Sequence, residues 1–409
     1  MLTPHPTLRR SDVFPQRANI FRALCGENDV LHLTYNARGA LYQLLHALPE
    51  EKGHVVLLPA FHCTALVEPV AHSRFRPVFY RVRPDFSPDM DDLRSKLSSQ
   101  VALIVVIHFF GFPTELGPIL ELRDQADCYV LEDSAHSFLS IDSGLFIGHR
   151  GDFSVFSYYK TVGSLFGGGL RINGRRLKFS PSRSKIPLRE SFVITKRLTE
   201  QVIENSGDGL MKRVFHYLET RRVARKIAKA EDKPAALGFV DDPYLFRKDL
   251  AVARMPALCK SILKFSNWGD IASARRRNYA LISGVLKESS ELRKVFANLP
   301  ENVCPWAYPV LLQDRSRFEH ELRRRGVPLF TFGEVLHPLL NHCDPVARRD
   351  AEQLSRQLMM LPVHQNLSGE EVVRYCEELN RFFEGIQQAS PLADSIAAAA
   401  QSANLRVPR

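Results

Sequence analysis

The chain has 409 residues, of which 45% are hydrophobic and 24% are charged, with 25 prolines and 22 glycines. This length allows about two or three domains, and the composition excludes a small disulfide scaffold, a collagen-like chain and a disordered chain. The net charge of +10 admits an anionic small molecule as a partner, but we expect no nucleic-acid binding, because the sequence has neither a helix-turn-helix signature nor regular aromatic residues among its basic ones.

The cysteines indicate whether the protein has disulfides or a metal site, and the apolar runs indicate whether it crosses a membrane or is secreted. Seven scattered cysteines without a Cys-x-x-Cys pair argue against a disulfide framework and against a metal site. The longest apolar run, 101–112, is shorter than a bilayer requires, and Pro4 and Pro6 interrupt the N-terminus where a secretion signal would be apolar. We therefore expect no membrane span and a cytoplasmic protein.

Helical patterns alternate with short β-rich runs in the first part of the chain. The predicted helices are 41–48, 65–72, 91–97 and 116–126. The predicted strands are 55–58, 78–82, 101–107 and 128–131. This alternation predicts an α/β domain with a largely parallel sheet, whose chemistry lies at the C-terminal ends of the strands.

The pattern changes after Gly174 to long charged helices, predicted at 191–205 and 210–230, and a further helix at 272–287. We predict a large domain over 1–250, which includes an N-terminal arm of about 30 residues and a basic helical segment at 178–250. A smaller α+β domain follows over 251–388. It contains a strand at 308–312, a helix at 317–325 and a terminal helix at 368–383, which Ser368 and Glu371 would cap. Residues 389–409 are predicted to be a flexible tail.

A strand that ends in carboxylates is the first candidate site feature. In Glu132-Asp133-Ser134-Ala135-His136, a carboxylate and an imidazole follow a buried strand and would meet at the ligand-binding edge of the sheet. The alternative is a helix N-cap by Asp133 beside a surface histidine.

The second feature is a lysine that follows another predicted strand. Ser157 and Lys160 precede the triplet Gly167-Gly168-Gly169, which we interpret as a glycine-rich turn. A lysine held near the core could lose its proton and act as a nucleophile. The alternative is a solvated loop lysine.

The third feature is the start of the first helix, where Ala37, Arg38 and Gly39 would present free backbone N–H groups to a phosphate. An ordinary capped helix that begins after Asn36 is the alternative. An anion site, a carboxylate at a strand end and a lysine are together what a pyridoxal phosphate enzyme needs.

These motifs resemble those of the DegT/DnrJ/StrS aminotransferase family. Segments 132–136 and 151–168 look like its strand-end motif and its lysine segment, and 58–63, 106–113 and 361–368 follow in the family's order. The resemblance covers roughly residues 30 to 385. It implies the fold type I architecture and the cofactor pyridoxal 5'-phosphate.

The resemblance also implies roles for particular residues. Lys160 would bind the cofactor covalently and carry protons, Asp133 would pair with the pyridine nitrogen, and His136 would lie near the ring's phenolic oxygen. Ser157 would bind the phosphate with the start of the first helix. The other ring face would be approached by one of Phe61, His62 and Cys63.

The resemblance implies partners as well. Glutamate or glutamine would be the amino donor, and a keto compound such as a nucleotide-linked sugar would be the acceptor, in a homodimer with composite sites.

The chain departs from the family pattern at two points. Many members place the phosphate-binding serine further from the lysine than Ser157 is from Lys160, and many have a Gly-Thr pair where this chain has Ala37-Arg38-Gly39. Two other functions stay open at this stage. One is a pyridoxal phosphate enzyme of the dehydratase or cyclising type, and the other is a non-catalytic binding or scaffold protein on the same fold.

Overall fold

The computed structural model of the protein describes residues 3, 5–8, 24–25, 28–174, 177, 179–182, 184–205 and 246–404. The helix predicted over 210–230 lies outside these residues. The seven cysteines are all described and all unpaired. Within the described ranges, no helix is long and apolar enough to cross a membrane and no group of side chains is suited to hold a metal ion.

A seven-stranded sheet forms the centre of the N-terminal part, in the order β1-β9-β8-β5-β4-β2-β3. Its strands are β1 (Val30–Thr34), β2 (Val55–Pro59), β3 (Arg76–Tyr80), β4 (Val101–Ile107), β5 (Tyr129–Asp133), β8 (Phe153–Ser157) and β9 (Gly168–Ile172), and a small hairpin, β6 (Ile141–Asp142) and β7 (Leu145–Phe146), lies between β5 and β8. The pairs from β3 to β8 are parallel. All seven residues of β4 are buried, as expected for a central parallel strand covered on both faces.

Four helices connect these strands: α1 (Ala37–Ala47), α2 (Thr64–Ala71), α3 (Met90–Ser95) and α4 (Gly117–Ala126). Each overlaps a helix predicted from the sequence, and α1 shows the reason most clearly, because it buries Leu41, Leu44 and Leu45 at helical spacing. The mostly parallel α/β architecture predicted from the sequence is therefore confirmed.

The glycine triplet differs from the prediction. Gly168 and Gly169 do not form a turn but begin β9, which pairs antiparallel with both β8 and β1. A side chain at position 168 would bring its Cβ within 2.2 Å of the carbonyl carbon of Asn36. The glycine therefore allows the sheet to lie directly against the start of α1, where the candidate phosphate site is.

The later part of the chain contains α5 (Leu188–Glu204), α6 (Lys248–Ala251), α7 (Ala257–Phe265), α8 (Trp268–Val285), α9 (Arg315–Arg324), α10 (Pro345–Gln357) and α11 (Gly369–Asn404). Three antiparallel strands, β10 (Leu292–Lys294), β11 (Ala307–Leu312) and β12 (Leu358–Pro362), form a separate sheet. This second sheet supports a domain division near residue 250, which remains a proposal.

The last helix, α11, has the predicted cap at its start, but it ends later than predicted. Ser368 and Glu371 form the predicted capping box, because the N–H of each residue donates to the side chain of the other, at 2.8 and 3.1 Å. The helix then continues to Asn404, beyond the end predicted at residue 383.

Candidate active site

A cavity of about 390 Å³ lies where the C-terminal ends of β5 and β8 face the start of α1. The structure brings together at this cavity seven residues that were predicted from the sequence: Ala37, Arg38, Cys63, Asp133, His136, Ser157 and Lys160. They come from four separate segments, and the parallel order of the sheet unites them at one edge.

Asp133 is the last residue of β5. Its Oδ1 accepts the N–H of Ala135 at 3.0 Å, but the following residues form turns rather than a helix. Asp133 is therefore not a helix N-cap. Burial raises the pKa of its carboxyl group, and the charge of Lys160 partly opposes this rise.

Glu132, the neighbour of Asp133, points into the protein and has a structural role. Its buried carboxylate binds Nε2 of His108 at 2.8 Å and accepts the N–H groups of Gly148, Arg150 and Gly151. Hydrogen bonds lower the pKa of Glu132 despite its burial. This network fixes the end of β5 and so fixes the position of Asp133.

Lys160 ends a short helical turn that follows β8. Its Nζ lies 4.7 Å from the centre of the Trp306 ring and 5.9 Å from that of Phe332. Burial lowers the pKa of this amine, while Cys63 and Asp133 oppose the shift. Lys160 therefore holds more neutral amine at a given pH than a solvated lysine does, as a nucleophile requires.

His136 is buried and neutral. Its ring stacks on Trp306 at 4.0 Å between ring centres, and its Nδ1 accepts the N–H of Phe110 at 3.4 Å. Burial lowers its pKa well below the ordinary value, and the charge of Lys160 adds to this effect. Because Nδ1 accepts, the ring proton is on Nε2, which is then available as a donor.

The start of α1 has the Asn36 cap that was the alternative to an open anion site, and this cap binds one of the three N–H groups that were predicted to meet a phosphate. Oδ1 of Asn36 accepts the N–H of Gly39 at 2.8 Å, so this N–H already has a partner. Gly39 does not line the cavity; a Cβ there would lie 2.7 Å from the carbonyl oxygen of Ala251. Ala37 and Arg38 are left to present this helix end to the cavity.

Phe61 and His62 are not brought to the cavity. Phe61 is fully buried against Phe86, Phe109 and Phe332. Nδ1 of His62 contacts the carbonyl oxygen of Pro59 at 3.1 Å, and burial lowers the pKa of this ring to about 4. Of the three candidates for the open face of the cofactor, Cys63 alone lines the cavity. Phe61, His62 and Gly39 therefore do not line the cavity, because packing buries the first two side chains and the Asn36 cap binds the N–H of Gly39.

Several residues at the site were not predicted. Tyr159, Phe332, Arg197 and Arg247 also line the cavity. Arg197 is on α5, and Arg247 pairs with Asp249 at 2.7 Å. The sequence marked the basic segment 178–250, which contains both arginines, but that signal does not single out Arg197 or Arg247.

The N-terminal segment reaches the same region. The His5 ring lies 6.2 Å from that of Trp306 and nearly parallel to it. Thr7 donates its N–H to Oδ1 of Asn366 at 3.1 Å. Burial and the charge of Lys160 lower the pKa of His5 to about 4. Part of the predicted arm therefore packs beside the lysine.

The residues at the cavity fit pyridoxal phosphate. An amine of lowered pKa and a carboxylate of raised pKa line the same cavity, as binding to an aldehyde and to a pyridine nitrogen would require. The start of α1 and Ser157 lie at the same cavity, where a phosphate group can be held.

The fold is that of pyridoxal phosphate-dependent aminotransferases, as solved structures show. The chain superposes on the aminotransferase from Psychrobacter cryohalolentis with a TM-score of 0.65, at 16% identity over 95% of this chain and 100% of that one. It superposes on a DegT DnrJ EryC1 StrS aminotransferase from Brucella abortus with a TM-score of 0.61, at 17% identity over 86% of each chain. These matches confirm the fold type I architecture.

The resemblance to the family named from the motifs also appears in comparisons of sequence, over part of the chain for the family and at low identity for its members. Residues 16–172 match the DegT/DnrJ/EryC1/StrS aminotransferase family. The chain is 22% identical to GDP-perosamine synthase of Escherichia coli O157:H7 over 87% of each chain. It is 23% identical to the dTDP-4-dehydro-2,3,6-trideoxy-D-glucose 4-aminotransferase of Saccharopolyspora spinosa, over 86% of this chain and 84% of that one.

Proposed function

We propose that the protein is a pyridoxal phosphate-dependent aminotransferase that moves an amino group from glutamate or glutamine to the keto group of a nucleotide-linked sugar, in the cytoplasm. The observation that carries this proposal is the meeting of Lys160 and Asp133 at one cavity beside the start of α1. Lys160 supplies an amine and Asp133 a carboxylate, the two protein groups that transamination needs.

The chemistry is divided between the cofactor and the protein. When bound, pyridoxal phosphate supplies an aldehyde that condenses with amines and a ring that draws electrons from the substrate carbon. Lys160 would hold the aldehyde and would carry a proton at Nζ, for which its lowered pKa is suited. Asp133 would pair with the ring nitrogen, and Nε2 of His136 would be the donor for the ring oxygen. Ser157, Ala37 and Arg38 would bind the phosphate.

The acceptor is proposed from the relatives and from charge. Two relatives are named for a GDP-linked and a dTDP-linked sugar. Arg197 and Arg247 also line the cavity, and arginine side chains suit the phosphates of a nucleotide.

The acceptor can be tested with a panel of keto substrates. The protein is first loaded with amino groups by glutamate or glutamine, and each keto compound is then added while the absorbance of the aminated cofactor is followed. We expect fast loss of this absorbance with at least one nucleotide-linked keto sugar and slow loss with the same sugar lacking the nucleotide. Equal rates for both sugars would contradict the proposed acceptor class.

We also propose a homodimer with composite sites. Leu188 and Phe192 on α5 are 89% and 68% exposed, although large apolar side chains are normally covered. Arg197 on the same helix lines the cavity, so a subunit that covers these side chains would approach the active site.

Phe192→Asp is expected to shift the protein toward monomers, because a carboxylate would have to be buried in the interface. Sedimentation velocity measures this shift. Val346→Asp is the matched control, since Val346 is 37% exposed near the start of α10. A parent protein that is monomeric and fully active would contradict the dimer.

A further inference from the structure

Arg275 on α8 is a cation that is 1% exposed, and within the described ranges no carboxylate pairs with it. Its guanidinium instead donates to main-chain carbonyl oxygens, those of Lys160 at 2.9 Å, Thr161 at 3.2 Å, Pro305 at 3.2 Å and Trp306 at 3.3 Å. Burial lowers the pKa of Arg275 to about 10. Burying a charge without a counter-ion costs free energy, so we expect a guanidinium at this place to have a specific role.

These four carbonyl groups belong to two segments of the active site. Lys160 and Thr161 form the turn after β8, while Pro305 and Trp306 lead into β11. The Trp306 ring in turn contacts both Nζ of Lys160 and the ring of His136. Arg275 thus joins the lysine turn to the aromatic wall beside it.

Gln365 strengthens the same junction. Its Nε2 donates to the carbonyl oxygen of Thr161 at 3.1 Å, and its Oε1 accepts from Nε of Arg275 at 3.3 Å. The lysine turn is therefore held by two side chains from the later part of the chain.

We propose that Arg275 is a positioning residue for Lys160, which fixes the main chain of the lysine turn relative to Trp306 and so keeps the amine in its buried place at the cavity. This inference rests on the proposed function of Lys160. Arginine suits the task because its planar fork donates in several fixed directions, which the single ammonium of lysine cannot reproduce.

Arg275→Lys tests the role and keeps the positive charge. The readout is the pH dependence with which an amine-reactive reagent, trinitrobenzenesulfonate, labels Lys160 in the cofactor-free, full-length protein, quantified by peptide mass spectrometry. We expect the midpoint of the labelling curve of Lys160 to rise by about one pH unit, because the amine gains contact with water. At a pH below the midpoint, the fraction of neutral amine is then about ten-fold smaller than in the parent protein. Transamination should fall roughly a hundred-fold, mainly in kcat, as for a displaced catalytic group.

Arg276→Lys is the matched control. Arg276 also binds main-chain carbonyl oxygens, but those of Pro300 and Val303, which are outside the lysine turn. We expect its Lys160 profile to match that of the parent. If Arg275→Lys does not fold, Gln365→Ala gives the same comparison with a smaller shift in the same direction.

The outcomes separate this inference from the proposed function. A folded Arg275→Lys protein whose Lys160 profile is unchanged overturns the positioning role, even if the parent is an active aminotransferase. A parent that transaminates no substrate, together with a shifted Lys160 profile in Arg275→Lys, overturns the proposed function and retains the positioning role.

Discussion

Lys160→Ala is expected to abolish transamination, because the change removes the amine that lines the cavity opposite Asp133. Cofactor should still bind to the remaining phosphate and ring contacts, but without a covalent link. The measurement is borohydride reduction of the loaded parent protein followed by peptide mass mapping, which should place the cofactor on Lys160.

Lys260→Ala is a suitable control, since Lys260 is exposed on α7. Its activity should equal that of the parent. A cofactor adduct on any lysine other than Lys160 would refute the assignment. A parent protein that takes up no cofactor at all would instead favour the non-catalytic scaffold.

Asp133→Asn is expected to leave the cofactor bound and to slow the amino-donor half-reaction. Asparagine keeps an oxygen that can accept the N–H of Ala135, so the end of β5 should retain its shape. The charge that favours a proton on the ring nitrogen is lost. Each unit by which the pKa of that nitrogen falls corresponds to about 1.4 kcal/mol less preference for the protonated ring. We expect a loss of about a thousand-fold, or about 4 kcal/mol in the barrier.

Single-turnover spectroscopy with the amino donor measures this rate, and cofactor occupancy is measured on the same sample. Asp124→Asn serves as the control, since the Asp124 side chain is 70% exposed. If Asp133→Asn reacts within a few-fold of the parent, Asp133 has no electronic role. A variant that instead loses its cofactor would show that Asp133 acts mainly in binding.

The seven-stranded sheet explains why substitutions of a small number of residues are expected to have large effects on the reaction. Asp133 and Ser157 end adjacent parallel strands, β5 and β8, so their side chains meet at one edge. The buried network around Glu132 holds the end of β5, and Arg275 holds the turn after β8. Rigid support of this kind keeps the reactive groups in place and limits the motion of the lysine amine.

The parallel core, and the residues at its edge that we propose to react, can be read from the amino-acid sequence. Strands such as β4 are recognisable because strands buried on both faces are continuously apolar. Asp133 ends β5 and Lys160 ends the short turn after β8, so local spacing is enough to place them at the edge of the sheet. The capping box of α11 is local in the same way.

Features that depend on partners distant in sequence could not be predicted and are seen in the folded chain alone. The antiparallel pairs of β9 turn a predicted glycine-rich turn into a strand, since strand pairing is set by contacts far apart in sequence. Packing also decided that Cys63 reaches the cavity while Phe61 and His62 do not. Arg275 meets Lys160 across 115 positions of sequence, and no local pattern marks that contact. Local periodicity specifies which face of an element is buried, whereas the partner of that face is specified by long-range packing.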